Sequence, residues 1–537
     1  MSGLKTYHLL LLSLLGGLFL SFSWFPAGFF PVIFIAFVPL LLIEHSLFVQ
    51  PQKYKTLTLF FCCYLTFIIW NVVVTWWVKN ASLDGAAMAF LANSLLMTFV
   101  FMMFHRVKRR LGEQWGHVIF ICFWLTFEFL HLDWDLTWPW LTLGNVFAAA
   151  PFAVQWYEYT GVFGGSLWIL VVNVLIFELI RNFSGAAKRE KLRGISIIAA
   201  VLVLPFLLSV LVSSMYEEKK GKEQNVVVVQ PNIDPYNEKF SGDYLAQLKK
   251  MLELAFQKTD HQTDYLLFPE TALTEDIWEN NLENSQSIRL LQEVIRQYPK
   301  LKIIVGASTY RSFQPWEQPS ATARMFTDSE GFYDAFNTAL QLDSTGRIQV
   351  YHKSKLVPGV EKMPFPAFFK YFENFAISLG GISGSLGMQE ERTPFIASDS
   401  TATAPVVCYE SIYGEYVGEY ISNGAQFISI ITNDGWWGDT PGYKQHLKYG
   451  ALRAIETRLW IARSANTGVS CFIDPKGNIL QPSAYWTPAV LSQTIRLHKE
   501  QTFYTKHGDY IARAAFYISI ALLFYSLLIR FRIAKKW

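Results

Sequence analysis

Pro405-Val406-Val407-Cys408-Tyr409-Glu410-Ser411-Ile412 is the stretch on which the reading of this chain turns. Its apolar, β-branched first half predicts a buried strand, and the helix-compatible segment Ser411 to Tyr420 follows at once. A cysteine is thereby delivered from a strand end to the start of a helix. Unpaired backbone N–H groups and the positive end of a helix dipole both favour a thiolate there. The plainer reading is an inert core thiol, because free cysteine is among the most buried residue types. The neighbouring segments decide between the two.

Upstream, Val226 to Gln230 predicts a strand, Tyr244 to Phe256 a helix, and Tyr265 to Phe268 a second strand. Ser287 to Arg296 is helical by spacing, and Lys302 to Gly306 is a third strand. Paired strands follow at Ala335 to Leu342 and Ile348 to Lys353, joined by the turn signal Asp343-Ser344-Thr345-Gly346. Downstream come a strand from Phe427 to Ile431, a helix from about Gln445 to Leu459, and strands around Ile461 and Val469 to Ile473. Such alternation predicts an α/β layered domain. No internal repeat is visible.

That domain is set in a membrane protein. Of 537 residues, 52% are hydrophobic and only 17% charged, and the aromatics, among them 18 Trp and 44 Phe, concentrate in the first two hundred residues and the last thirty. Apolar runs long enough to cross a bilayer core of roughly 30 Å centre near Ile35, Phe67, Leu95, Trp124, Leu170, Val203 and Leu522. With His8 to Trp24, they make eight expected spans. The first lacks a small-x-small cleavage site and is read as a retained helix rather than a signal peptide. The expected division is therefore 1–214 for seven spans, 215–510 for the layered domain, and 511–537 for the eighth span and a basic tail.

Orientation follows from the cations between spans. Lys53 and Lys55, then Arg106, Lys108, Arg109 and Arg110, then Lys188, Arg189, Lys191 and Arg193, and finally Arg530, Arg532, Lys535 and Lys536 follow alternate spans. The intervening connections are nearly free of cations. Lys219, Lys220 and Lys222 open a long domain, which translocates largely regardless of charge. Both termini are thus expected in the cytoplasm and the domain outside. The outer connection Asp133 to Trp140 is dense in indoles, which suits an interfacial belt and a wall for a lipid chain equally.

The net charge of +3 is too small to point to nucleic acid. Five cysteines form no disulfide framework, and neither CxxC nor HExxH spacing occurs, so no metal or other cofactor is expected. Cys62, Cys63 and Cys122 lie in apolar stretches. Cys471 is the other cysteine of the polar part.

Three polar residues close three of the strands: Glu270, Lys353 and Cys408. Sites of α/β folds gather at strand ends. Together they supply a base, a cation and a nucleophile. Glu270, its pKa raised by burial, could take the thiol proton. Lys353 could hold the oxyanion of a tetrahedral intermediate, and such a set suits acyl transfer through a thioester.

The order Glu270, Lys353, Cys408, within Phe268-Pro269-Glu270-Thr271, Tyr351-His352-Lys353 and Cys408-Tyr409-Glu410, resembles the carbon–nitrogen hydrolase (nitrilase) superfamily. The run Thr432-Asn433-Asp434-Gly435-Trp436-Trp437-Gly438-Asp439-Thr440-Pro441-Gly442, with Gln445-His446-Leu447, Leu452 to Arg458 and Ala465-Asn466-Thr467-Gly468, is similar to its membrane-embedded branch, the bacterial apolipoprotein N-acyltransferases. The resemblance implies an α+β membrane protein whose extracytoplasmic domain is an α-β-β-α sandwich. It implies Glu270 as general base, Lys353 as catalytic lysine and Cys408 as acyl-accepting nucleophile. Glu361 matches the family's second glutamate, and Tyr409, Glu410 and Trp436 match residues close to the nucleophile. Lys355 sits two positions beyond the matching lysine. The family's Pro-Phe-Gly-Glu run is here Pro358-Gly359-Val360-Glu361.

The implied partners are a phospholipid acyl donor and a diacylglyceryl lipoprotein acceptor, met by a monomer in the bacterial inner membrane, with the catalytic domain periplasmic. Two rival readings are a membrane-tethered amidase or nitrilase acting on a small amide, and an inactive scaffold that binds lipoproteins. From Pro364 to Gly387, five Phe precede a Gly- and Ser-rich run. This fits a loop packed on its own domain or a mobile lid equally well.

Overall fold

Four consecutive buried valines, Val226–Val229, form the middle of a strand flanked on both sides, as a continuous apolar run should. In this computed structural model residues 4–26, 28–49, 55–327, 330–363 and 385–534 are described, and the Phe-rich stretch considered as a lid lies largely outside them. The chain divides into two compact units: Met1–Lys79, Asp84–Met215 and His507–Trp537, and Asn80–Leu83 with Tyr216–Lys506.

The first unit is helical: α1 (Thr6–Phe22), α2 (Val38–Val49), α3 (Lys55–Thr75), α4 (Leu83–Leu111), α5 (Gly116–Leu130), α6 (Tyr157–Asn182), α7 (Lys188–Met215) and, after the second unit, α12 (Tyr510–Ala534). Six helical segments among the described residues are long and apolar enough to cross a membrane. The other two of the eight expected spans are shorter, α1 with 17 residues and α5 with 15. At 1.5 Å per residue, α5 rises about 22 Å, and the 3₁₀ turn Glu113–Trp115 that leads directly into it lengthens the segment.

Three charged or titratable side chains inside this unit pair with one another. Glu44 accepts from Lys108 Nζ at 2.5 Å and meets His105 Nδ1 at 2.8 Å, all three buried. Lys108 therefore does not belong to the solvated basic cluster read from sequence, which is left to Arg106, Arg109 and Arg110.

The second unit is an α-β-β-α sandwich. Its larger sheet contains β1 (Glu223–Gln230), β2 (Tyr265–Leu267), β3 (Leu273–Trp278), β4 (Lys302–Ser312), β5 (Arg324–Met325), β6 (Phe332–Leu342), β7 (Ile348–His352) and β14 (Ala489–Arg496). The order is β14-β1-β2-β4-β6-β5, with β3 on β4 and β7 on β6. The smaller sheet runs β13-β12-β11-β10-β9-β8, from β8 (Phe395–Ile396), β9 (Ala402–Val407), β10 (Phe427–Thr432), β11 (Ile461–Ala465), β12 (Cys471–Ile473) and β13 (Ile479–Leu480). The sheets face each other: the Tyr265 ring lies 5.0 Å from that of Phe427, and Ser464 Oγ donates to the Val229 carbonyl at 2.8 Å.

Helices α8 (Tyr244–Ala255) and α9 (Gln286–Gln297) cover the larger sheet. Leu248, Met251 and Leu252 of α8, with Ile288, Leu291 and Ile295 of α9, fall at three- and four-residue spacing and pack on Val227, Leu266 and Ile303. Each helix starts at a side-chain cap: Asp243 accepts from the Leu245 and Ala246 N–H groups, and Ser285 from that of Ile288. Such caps are worth about 1 kcal/mol each.

Against the smaller sheet lie α10 (Gly414–Ser422) and α11 (Pro441–Thr457). Gly450 lets α11 approach the Ile430 and Ile473 side chains. The helix expected from Ser411 begins only at Gly414. A 3₁₀ turn, Cys408–Ile412, intervenes between strand and helix.

Parallel strands β2, β9 and β10 end at one edge of the sandwich. Glu270, Cys408 and Asn433 follow them.

Candidate active site

Cys408 leaves β9 with φ of +51°, a left-handed conformation rare for a residue with a side chain. The turn that imposes it is tied down by Glu410. One oxygen of this buried carboxylate accepts from the Val407 N–H at 2.8 Å; the other accepts from the Ser354 N–H at 2.7 Å and from the hydroxyls of Tyr351 and Tyr416. Glu410 thus joins the cysteine turn to the segment after β7, and its contacts are with backbone and phenols rather than with the thiol. Tyr409 is buried with its ring edge-on to Tyr413 at 5.5 Å. Trp436, in the turn after β10, stands edge-on to Tyr236 at 5.1 Å, and its carbonyl accepts from the Tyr236 hydroxyl.

Glu270 and Lys353 come together in the interior. Lys353, 1% exposed, donates to Glu270 Oε1 at 3.1 Å and to Glu361 Oε1 at 2.8 Å. Asn337 Nδ2 donates to the same two carboxylates at 2.8 and 3.1 Å. Glu270 Oε2 accepts from the Asn433 N–H at 3.0 Å, which joins the end of β2 to the end of β10. A turn through Gly359 (φ +82°) brings Glu361 in, its other oxygen on the Val357 N–H at 2.9 Å. Lys355, by contrast, lies over the Tyr413 ring at 5.2 Å.

Three groups around these were not singled out from sequence. Lys239, buried, donates to the Glu270 carbonyl at 3.0 Å and to Thr271 Oγ1 at 2.5 Å. Thr271 itself has φ of +46°. Gly306 presses on this bend: a Cβ there would sit 2.5 Å from the Thr271 nitrogen and 2.6 Å from Glu270 Cα. Thr432 Oγ1 lies 3.2 Å from Cys408 Sγ and 2.9 Å from Asp434 Oδ1. An ionised carboxylate only accepts, so the Thr432 proton goes to Asp434 and the hydroxyl oxygen is left to accept from the thiol.

The ionisation pattern reverses two sequence expectations. The thiol of Cys408 is pushed up, not down, by its burial and by the Glu270 charge, with Lys353 opposing. A one-turn 3₁₀ segment supplies little dipole, and burial prevails. The Glu270 carboxyl is held below its ordinary range, not above it. Burial raises it, but Lys353, Asn337 and Lys239 together outweigh that. Lys353 stays charged, because Glu270 and Glu361 overcome its burial. At rest the site therefore holds a neutral thiol, a carboxylate and an ammonium.

Asp434, held ionised against its burial by Arg463 and His446, anchors the far side. Its Oδ2 accepts from Arg463 at 2.7 Å, and His446 bridges Oδ1 to the Cys408 carbonyl at 2.9 and 3.0 Å. Donor atoms of Cys408, Asp434 and His446 lie within 4.8 Å of one another, as metal ligands would. A divalent ion would have to displace the Arg463 guanidinium, so this donor set does not fit one.

A cysteine on a left-handed strand exit lies with a carboxylate and a lysine from other strand ends. The chain belongs to the carbon–nitrogen hydrolase family, whose model matches residues 225–504. Ahead of it, residues 16–175 match the apolipoprotein N-acyltransferase N-terminal domain. Similar proteins include the apolipoprotein N-acyltransferases of Chlorobaculum tepidum, 29% identical over 93% of both chains, and of Geobacter metallireducens, 27% identical over 94% of this chain and 92% of that one. Among solved structures, Nit3 of Saccharomyces cerevisiae, from the nitrilase superfamily, aligns with 52% of this chain and 91% of its own, at 14% identity and a TM-score of 0.37.

Proposed function

We infer that this membrane protein transfers an acyl chain from a phospholipid to the α-amino group of the N-terminal diacylglyceryl-cysteine of lipoproteins, by way of a thioester on Cys408. The observation that carries the reading is the buried Glu270–Lys353–Glu361 cluster beside a strained cysteine, in a chain whose other unit is built of bilayer-length apolar helices. Both substrates are lipids of the bilayer, where a chain with apolar helices of that length resides, and a small soluble amide would not need such helices.

In the first half-reaction, Cys408 sulfur attacks the ester carbonyl as its proton passes to Glu270. Because the carboxyl is held low and the thiol high, proton transfer is uphill at rest and proceeds together with attack. Lys353 faces the oxyanion that forms. Collapse returns the proton from Glu270 to the departing glycerol oxygen, leaving lysophospholipid and the thioester. In the second half-reaction the acceptor amine attacks, loses its proton to Glu270, and expels the cysteine, which is reprotonated. Glu361 and Asn337 position Lys353; Thr432 and Glu410 position the cysteine turn.

The direct test is the intact mass of the purified protein after incubation with phospholipid and no acceptor. An increase by one acyl chain on Cys408, discharged by a diacylglyceryl lipopeptide, is the expected result. An unmodified mass alongside continuing transfer would exclude a thioester route.

The pH dependence of single-turnover acylation is set by two groups. Glu270, held below 4.5, keeps its accepting form until pH falls beneath that value, so the acid limb lies below pH 4.5. Lys239 is pushed down to about 8 by burial, so its charge is lost as pH rises through that value, weakening its hold on the Glu270–Thr271 bend. Acylation is expected to fall above about pH 8, and Lys239→Met to lower the rate while abolishing that limb. An alkaline limb unchanged in Lys239→Met would assign it elsewhere.

The inner membrane is the proposed location, with both termini cytoplasmic and residues 216–506 periplasmic, on the alternation of cationic loops. Single cysteines at Arg109 and Arg189 should react with an impermeant maleimide only in permeabilised cells. One at Trp316, 81% exposed, should react in cells whose outer membrane alone is open. Trp316 and Arg189 labelling from the same side would overturn the topology.

A further inference from the structure

Cys408 is held at both ends by one continuous path of hydrogen bonds. At the sulfur, Thr432 Oγ1 lies 3.2 Å from Sγ and 2.9 Å from Asp434 Oδ1. At the backbone, the Cys408 carbonyl is 3.0 Å from His446 Nε2, and His446 Nδ1 is 2.9 Å from the same Asp434 oxygen. The path from the sulfur through Thr432, Asp434 and His446 therefore returns to the cysteine it left. All four residues are buried. They come from the exit of β9, the end of β10, the turn after it and α11, so only the folded domain closes the circuit.

Closure depends on where the imidazole hydrogens are. Asp434 is ionised and a carbonyl carries no hydrogen, so both oxygens that face the imidazole only accept. Nδ1 gives a proton to Asp434 and Nε2 gives one to the Cys408 carbonyl. A neutral imidazole has a single N–H and would set a lone pair against one of these oxygens. The neighbours agree with two protons. Arg463 Nη2, 3.3 Å from Nδ1, donates to Asp434 Oδ2 at 2.7 Å. Ser411 Oγ donates to the Cys408 carbonyl at 2.8 Å, so its oxygen, 2.9 Å from Nε2, is left to accept. The Trp437 ring stands edge-on to the imidazole at 5.6 Å.

We propose that His446 is held as an imidazolium, and that by closing this circuit it fixes the carbonyl and the sulfur of Cys408 relative to each other. The cysteine has φ of +51°, so a backbone rotation there would swing the sulfur away from its target. A misplacement of 1 Å in a reacting group can cost roughly 10²-fold in rate. With Arg463, the imidazolium also leaves one positive charge in excess of Asp434 beside a sulfur that turns negative as its proton leaves. His446 is a positioning residue, acting through Asp434 and the cysteine backbone. Its role in the reaction rests on Cys408 as nucleophile; the closed circuit does not.

The test uses the full-length protein in nanodiscs of phosphatidylethanolamine and phosphatidylglycerol. Gln445-His446 is the one Gln-His pair in the chain. Carbonyl carbon-13 in glutamine, with carbon-13 and nitrogen-15 throughout histidine, therefore singles out this imidazole by solid-state NMR without any substitution. A hydrogen bonded to each of its two nitrogens in the acylation buffer is the expected result. One bare imidazole nitrogen would overturn the proposal, whatever the activity. Two variants then read the role. His446→Asn keeps an amide near the place of Nδ1, for Asp434, and His446→Gln keeps one near the place of Nε2, for the Cys408 carbonyl. Each opens the circuit at one end. Single-turnover acylation should fall at least about tenfold in both, the factor that one hydrogen bond to a charged group represents. A rate within about threefold of normal in either folded variant would mean that one contact suffices and overturn the circuit. Where neither variant folds, the NMR result decides. Failure of the unaltered protein to form acyl-Cys408 would instead refute the acyl-transfer mechanism and leave the NMR result standing.

Discussion

With serine at 408, the mass of the protein after incubation with phospholipid is expected to stay that of the unmodified chain, and transfer to a lipopeptide to fall by at least roughly 10⁴-fold, the scale seen when a nucleophile is removed. Cys408→Ser replaces sulfur by a smaller oxygen at a backbone position whose left-handed φ is imposed by the Glu410 bonds, which the change leaves alone. The fold and the contact with Thr432 should therefore persist. What is lost is acidity and nucleophilicity: burial that already pushes the thiol up would push an alcohol further, beyond the reach of a carboxylate held as low as Glu270. Cys471 is not a substitute. It is fully buried in β12, with its thiol pushed up to about 12 by that burial. Near-normal transfer by Cys408→Ser would transfer the nucleophile's role to another residue and undo the proposed mechanism.

The strand ends were the legible part of the site. Glu270, Lys353 and Cys408 each follow a short apolar run, a local pattern, and the larger sheet brings the first two into contact. Glu361 was reached only through resemblance, and its place depends on a turn whose glycine stands two residues earlier than the carboxylate. Lys239, Asn337 and Thr432 could not be read this way. Each lies in a segment with its own structural explanation, and each matters through a partner at least 24 residues away in sequence. The ionisation states were misread for the same reason. Burial alone raises a carboxyl, and burial is what a hydrophobic flank predicts. The donors that reverse the sign for Glu270 arrive from β6, from the end of β7, from the loop ahead of α8 and from the end of β10.

In the membrane unit, hydropathy located apolar segments without distinguishing their conformation. The run from Leu143 to Ala149 is apolar apart from Asn145 and forms a 3₁₀ segment buried in protein. Helix α5 stops at Leu130 although apolar and aromatic residues continue beyond it. Glu44 illustrates the converse. A carboxylate in an apolar run reads as an interruption, yet it is the partner that draws Lys108 out of the basic cluster and into the protein.

The two lysines of the β7 exit separate what touches the reaction from what lies near it. Lys353→Ala is expected to slow single-turnover acylation by at least 10²–10³-fold, because losing a fixed oxyanion partner typically costs about 2.7–4 kcal/mol. Lys355→Ala removes a contact with the Tyr413 ring worth about 0.5–1 kcal/mol, so its rate should stay within about fivefold of normal. A second readout distinguishes an electrostatic role for Lys353 from a merely structural one. Glu270 and Glu361 share Lys353 and Asn337; without the ammonium, a buried and a partly buried carboxylate face each other with one amide between them. One of them must take up a proton. The stronger of the two cations that lower Glu270 is gone, with only Lys239 left, so the acid limb of the residual acylation should move upward from below pH 4.5. Glu361→Gln removes the competing charge and should move that limb back down when added to Lys353→Ala, without restoring the rate. A Lys353→Ala enzyme with an unmoved acid limb would mean that Glu270 does not depend on the lysine for its charge. A loss in Lys355→Ala exceeding that in Lys353→Ala would place the wrong ammonium beside the thiol.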